Sequence, residues 1–155
     1  MILWFAACAV MGAWTVLRDP SFDYRFIAVG ALLPDAIDAL AGHRAVAHTL
    51  LFAVAALVVV MVGTTNRRSL RRHLIALPIG FLAHLVLDGV WANKALFWWP
   101  AFGDWGDTRV VPVVGLVVVR ELIGLAVLVV VVRRFGLRDR ERRLDFVRTG
   151  RLTPC

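Results

Sequence analysis

Apolar residues fall into five runs, 2–17, 26–42, 45–63, 74–92 and 110–132, separated by short polar stretches. A helix that crosses a bilayer needs about 20 residues, so the fifth run is comfortable and the third and fourth are adequate. The first two are short. Valine is abundant, but the runs are too long for strands and lack alternation with a period of two, so they read as helices. Gly30 and Pro34 interrupt the second run. Proline removes a backbone donor and crowds the preceding turn, which predicts a kinked or partly re-entrant helix there. The pattern therefore predicts an all-α, polytopic membrane bundle of four to five transmembrane helices, with the crossing of the first run left open.

Composition strengthens this picture. Of 155 residues, 60% are hydrophobic, more than a water-soluble domain of this size has use for. The expected organisation is a transmembrane domain over 1–132 that carries any site, followed by a basic cytoplasmic tail over 133–155. That tail holds eight Arg against three acids, so +5 of the net +7 lies there. It has no nucleic-acid-binding motif and follows directly on an apolar run, so anionic inner-leaflet lipids are its expected partner and no nucleic acid is expected. Leu137, Leu144 and Val147 fall near one face, which fits an amphipathic helix on the membrane; a solvated tail accounts for them almost as well. Two cysteines make no disulfide framework. The first run lacks a basic leading segment and a small-residue cleavage pattern, so it reads as a retained helix rather than a signal peptide.

Arginine sets the sidedness. Arg67, Arg68, Arg71 and Arg72 follow the third run and the basic tail follows the fifth. With two spans between them, both can lie in the cytoplasm, which leaves 93–109 and the turn at His43 and Arg44 facing outward. Five ionisable residues then converge on one depth near the outer face. Asp35 and Asp38 sit close to the outer end of the second run, His48 in the first turn of the third, and His84 and Asp88 near the outer end of the fourth.

Carboxylates at that depth are costly, about 2.5–3.5 kcal/mol each at a helix centre, so something must compensate them. His84 and Asp88 share a helical face at i, i+4, and Asp35 and Asp38 share one at i, i+3. Two carboxylates on one face repel unless a cation or a shared proton lies between them. Mixed histidine and carboxylate ligation points to a divalent metal, Zn²⁺ or Mn²⁺, as one ion or two. Candidate metal ligands are Asp35, Asp38, His48, His84 and Asp88. A plain His–Asp hydrogen bond between helices would explain the His84 pair alone equally well. Arg44 is placed to meet an anionic group through its planar fork, although an arginine at a helix end also snorkels to headgroups. Arg120 and Glu121, adjacent in the fifth run, point about 100° apart and need partners on other helices. The Asp/His cluster can serve Arg120, and Glu121 is a candidate general base.

The chain at these residues resembles the YdjM-like (LexA-binding) family of inner-membrane, metal-dependent hydrolases. The likeness lies in Gly-Ala-Leu-Leu-Pro-Asp-Ala-Ile-Asp at 30–38, His-Arg-Ala-Val-Ala-His-Thr-Leu-Leu-Phe at 43–52, His-Leu-Val-Leu-Asp at 84–88 and Leu-Phe-Trp-Trp-Pro at 96–100. Many members carry Pro-Asp-x-Asp-His, whereas here one more residue separates Asp35 from Asp38 and Ala39 stands where a His would follow. The early His found in many members has no counterpart before His43. The resemblance implies Asp35, Asp38, His48, His84 and Asp88 as ligands with Arg44 beside them. The expected function is a multi-pass inner-membrane hydrolase that attacks an ester or phosphoester, lipid included, near the outer leaflet by metal-activated water. A proton- or metal-coupled transporter is the alternative, followed by a non-catalytic membrane protein with a structural metal.

Overall fold

The computed structural model describes residues 1–41, 46–102 and 114–154. Every element among them is helical, with no strand. In chain order these are α1 (Ile2–Leu17), α2 (Tyr24–Ala41), a 3₁₀ turn (Val46–His48), α3 (Leu50–Gly63), α4 (Arg68–Leu74) and α5 (Ala76–Asp88). A second 3₁₀ turn (Val90–Ala92), α6 (Lys94–Phe97), α7 (Val114–Arg134) and α8 (Arg140–Thr149) complete the fold.

Local chemistry accounts for the boundaries. α2 runs unbroken through Pro34 for 18 residues, where the sequence predicts a kink or a re-entrant segment. The apolar run 45–63 is not one helix, because Thr49 has extended backbone and its hydroxyl accepts from Phe52 N–H at 3.2 Å. This cap starts α3 at Leu50 and leaves His48 in the preceding 3₁₀ turn rather than in the helix. Pro78 crowds the carbonyl of Leu74, the position at which α4 gives way to α5. α5 ends at Gly89, whose φ of 75° closes the helix with its N–H on the Val86 carbonyl.

Two stretches, Arg68–Asp88 and Val114–Arg134, are long and apolar enough to cross a membrane at 21 residues each. α1 and α3 are apolar but shorter, at 16 and 14 residues. α7 turns Val118, Val119, Leu122, Ile123, Val129 and Val130 outward, and α3 does the same with Val58, Val59 and Val62. A largely apolar exterior of this kind, interrupted on α7 by the partly exposed Arg120 and Glu121, suits hydrocarbon better than water.

The interior is built from α1, α2 and α5, with α7 packed on α1. Phe5, Tyr24, Ile27, Ala31, Ala76, Val131, Phe135 and Leu152 form its main cluster, while Ala47, Ala53, Phe81 and Leu85 form a second one under α3. Close backbone approach depends on three glycines. A Cβ at Gly30 would overlap the Leu77 carbonyl, one at Gly80 the Ile27 carbonyl, and one at Gly124 the backbone of Leu3 and Trp4. Small residues serve this purpose where helices in a bilayer must gain their attraction from packing.

The C-terminal segment is anchored to the bundle. Leu152 is buried, Phe146 and Leu137 pack partly on the core, and Tyr24 N–H donates to the Gly150 carbonyl at 2.9 Å. Leu144 and Val147, grouped with Leu137 by the sequence pattern, stay exposed. Arg25 ties the two parts together, donating to the Val147 carbonyl and to Asp23 at 2.7 and 2.9 Å. Burial pushes the Asp23 carboxyl up, but the hydrogen bonds and charge of Arg25, with His73 beside it, hold it below the usual carboxylate range.

Candidate metal centre

α2, α5 and the turn before α3 bring Asp35, His48 and His84 together. One ligand atom from each lies within 4.8 Å of the other two. His48 Nε2 and His84 Nε2 are 3.2 Å apart, and Asp35 Oδ1 is 3.8 Å from the first and 3.7 Å from the second. Both imidazoles are fully buried, whereas the Asp35 side chain is 39% exposed and forms the open side of the group.

The far nitrogen of each ring decides what the near one presents. His84 Nδ1 is 2.7 Å from the Ala31 carbonyl, which can only accept, so Nδ1 carries the proton. His48 Nδ1 is 2.7 Å from Asp38 Oδ2, and a carboxylate imposes the same tautomer. With both rings neutral, each then presents the lone pair of Nε2 toward the other, across 3.2 Å. Two such lone pairs repel unless a cation lies between them. Imidazoles on a tetrahedral ion, with bonds of about 2.0–2.1 Å, have their nitrogens about 3.3 Å apart. The observed separation matches that value closely, so the three residues can hold a divalent cation.

Around this trio, Asp88 Oδ2 approaches His48 Nε2 at 3.9 Å, and its other oxygen is 3.5 Å from Arg120 Nη1. The Asp88 side chain is nearly buried, at 4%. Asp38 stands behind His48, on the nitrogen that faces away from the centre. Phe5 of α1 stacks on His84 with ring centroids 3.9 Å apart. It closes that flank with carbon and holds the ring at its angle.

The remaining predicted residues divide. Arg120 pairs with Asp88, one member of the Asp/His cluster that the sequence offers it. Glu121 faces the first turn of α1, where its carboxylate accepts from Leu3 N–H at 3.2 Å and lies 3.7 Å from the Met1 amino group. A carboxylate at a helix N-terminus satisfies otherwise unpartnered donors, which accounts for that placement. Arg44 and His43 lie outside the described residues. Sequence reasoning misses Phe5 and the Ala31 carbonyl. An aromatic residue in an apolar run carries no mark of a contact to histidine, and a backbone carbonyl carries no residue signature at all.

No curated protein and no solved structure matches the chain. A family model, described as YdjM inner membrane protein, matches residues 2–147, nearly the whole length. The helical bundle with its apolar exterior and the shared Asp/His group thus stand in a chain that belongs to the YdjM inner membrane protein family.

Proposed function

We propose that this protein is a membrane-embedded, metal-dependent hydrolase acting on an ester or phosphoester, lipid included, near the outer leaflet. One observation supports the reading above all: two buried imidazoles, each fixed in the Nδ1–H tautomer, converge on a carboxylate that reaches the surface. A divalent ion held there, Zn²⁺ or Mn²⁺, would polarise the bond to be cleaved and lower the pKa of water toward about 7.

The residues divide the work. His48 and His84 bind the ion, and Asp35 completes the set on the side open to substrate. Asp38 orients His48 and strengthens it as a donor. Asp88, tied to Arg120, adds a ligand or balances the charge of the site. Arg44 would hold an anionic group of the substrate at the mouth. Glu121 serves α1 beside the centre. In this reading α1, α2 and α3 are shorter spans packed against the two long ones, giving four to five crossings with the C-terminus in the cytoplasm.

The test uses detergent-purified protein, with zinc affinity and turnover of phosphoester and carboxylester lipids measured on the same sample. Asp38→Leu, which removes the acceptor from His48, is expected to weaken zinc binding about 10–100-fold with all direct ligands present. Asp38→Asn keeps an acceptor oxygen and is expected at the lower end of that range. Turnover should follow metal occupancy. Unchanged affinity in Asp38→Leu counts against the orienting role, and zinc or proton uptake into vesicles without turnover favours transport.

A further inference from the structure

Arg68 begins the same 21-residue span that Asp88 ends, and a second site lies at that first end. Ser21, Arg68, Ser69, Arg72, His73 and Arg151 line a cavity of about 290 Å³. Arg72 and His84 are 12 residues apart, or about 18 Å along the axis at 1.5 Å per residue. The two sites therefore occupy opposite ends of the bundle.

Three separate segments build the cavity: the turn between α1 and α2, α4, and the stretch after α8. Their association is fixed. Leu152 is buried next to Arg151, and Gly150 adopts a φ of 72° with no room for a Cβ beside Asp23. Tyr24 O–H donates to the Asp19 carbonyl at 3.0 Å and closes the turn that carries Ser21. Arg151 is thus delivered to α4 by a docked segment and not by a free tail.

The charge in the cavity is only partly compensated. Asp23, the nearest buried acid, is taken by Arg25 at 2.7 Å, with His73 Nδ1 at 3.5 Å. Asp19 accepts from Ser21 N–H at 2.8 Å and feels the charge of Arg72. Among the described residues, no carboxylate lies within ion-pair distance of the guanidinium groups of Arg68, Arg72 or Arg151. Guanidinium groups only donate, and the two serine hydroxyls can donate as well, so the lining asks for a ligand rich in acceptors. A carboxylate offers two oxygens and one charge. A phosphate offers more oxygens, and its geometry suits several arginine forks at once. The volume is near the lower limit for ligand pockets, about 300 Å³, which suits a headgroup-sized anion.

We propose that this cavity is a phosphate-binding site, occupied by the phosphate of an anionic lipid headgroup or of a free phosphate compound. Its position at the end of an apolar span is where headgroups lie. The proposal is independent of the metal centre.

The test titrates the full chain, in uncharged detergent, with dioctanoyl phosphatidylglycerol, dioctanoyl phosphatidylcholine and inorganic phosphate. Phosphatidylglycerol is expected to bind at least about tenfold more tightly than phosphatidylcholine, whose choline the arginines repel. The R68Q/R72Q/R151Q variant is expected to lose at least about tenfold in that affinity. R151Q alone, at an exposed position, should lose severalfold and serves if the triple variant does not fold. Displacement of the lipid by inorganic phosphate identifies a free phosphate compound as a ligand, and saturable lipid binding without displacement identifies a headgroup. Undiminished phosphatidylglycerol binding by R151Q and the triple variant, or no binding of either phosphate probe to the wild type, overturns the proposal.

Discussion

Replacing His84 with alanine is expected to abolish stabilisation by added zinc. In the wild type, zinc at 100 times its dissociation constant is expected to add about 2.7 kcal/mol of stability, through binding to the folded state alone. His84 supplies one of two lone pairs that face each other across 3.2 Å, so its loss dissolves the pair. The variant should also be less stable without metal, because the Ala31 carbonyl loses its side-chain partner and Phe5 its stacked neighbour. A polar group left unpaired costs about 1–3 kcal/mol. Thermal unfolding with zinc and with chelator separates the two effects. Wild type should show a zinc-dependent shift and His84→Ala none, whatever their difference in chelator. A shift retained in His84→Ala removes that residue from the ligand set.

Gly80→Val is expected to be at least as damaging, although Gly80 touches no ligand. A Cβ there would overlap the Ile27 carbonyl and crowd the Ala31 nitrogen, so α2 and α5 must separate. Overpacking of this kind costs about 1–3 kcal/mol when side chains can yield, and more when the obstacle is backbone. α2 carries Asp35, Asp38 and the Ala31 carbonyl, while α5 carries His84 and Asp88. Separation of the two helices therefore opens the site from both sides. Folded yield and zinc content should fall together. Gly12→Ala is the control, because nothing lies within 4 Å of a Cβ at that position and alanine favours helix. Normal folding and zinc content in Gly80→Val would mean that the α2–α5 contact does not set the geometry.

Much of this site is legible in the amino-acid sequence, because costly groups in an apolar setting announce themselves. Asp35, His48, and the pair His84 and Asp88 come from three different runs, yet arginine sidedness places them at one depth, and the structure brings Asp35, His84 and Asp88 each within 4 Å of His48 Nε2. Depth says nothing of rotation about a helix axis, however. The i, i+3 spacing puts Asp35 and Asp38 on one face, but it cannot show that they meet opposite nitrogens of His48, one near the centre and one behind it. The break before α3 is written in Thr49, a capping residue inside an apolar stretch, and the run of hydrophobic neighbours masks it. Likewise the fourth run begins at Leu74, where α4 gives way to α5, but the basic residues before it hide that 68–74 is also helical. The docking of the tail is hidden for another reason. It depends on one buried leucine, Leu152, and on carbonyls of Val147 and Gly150 that any sequence possesses.

The most direct measurement is X-ray absorption at the zinc edge on purified protein loaded with one equivalent of zinc and desalted. A centre formed by His48, His84 and Asp35 gives a shell of nitrogen and oxygen at about 2.0–2.1 Å, with outer-shell scattering from two imidazoles and no sulfur. Zinc lost on desalting, or retained without an imidazole signature, would contradict a cation shared between the two histidines.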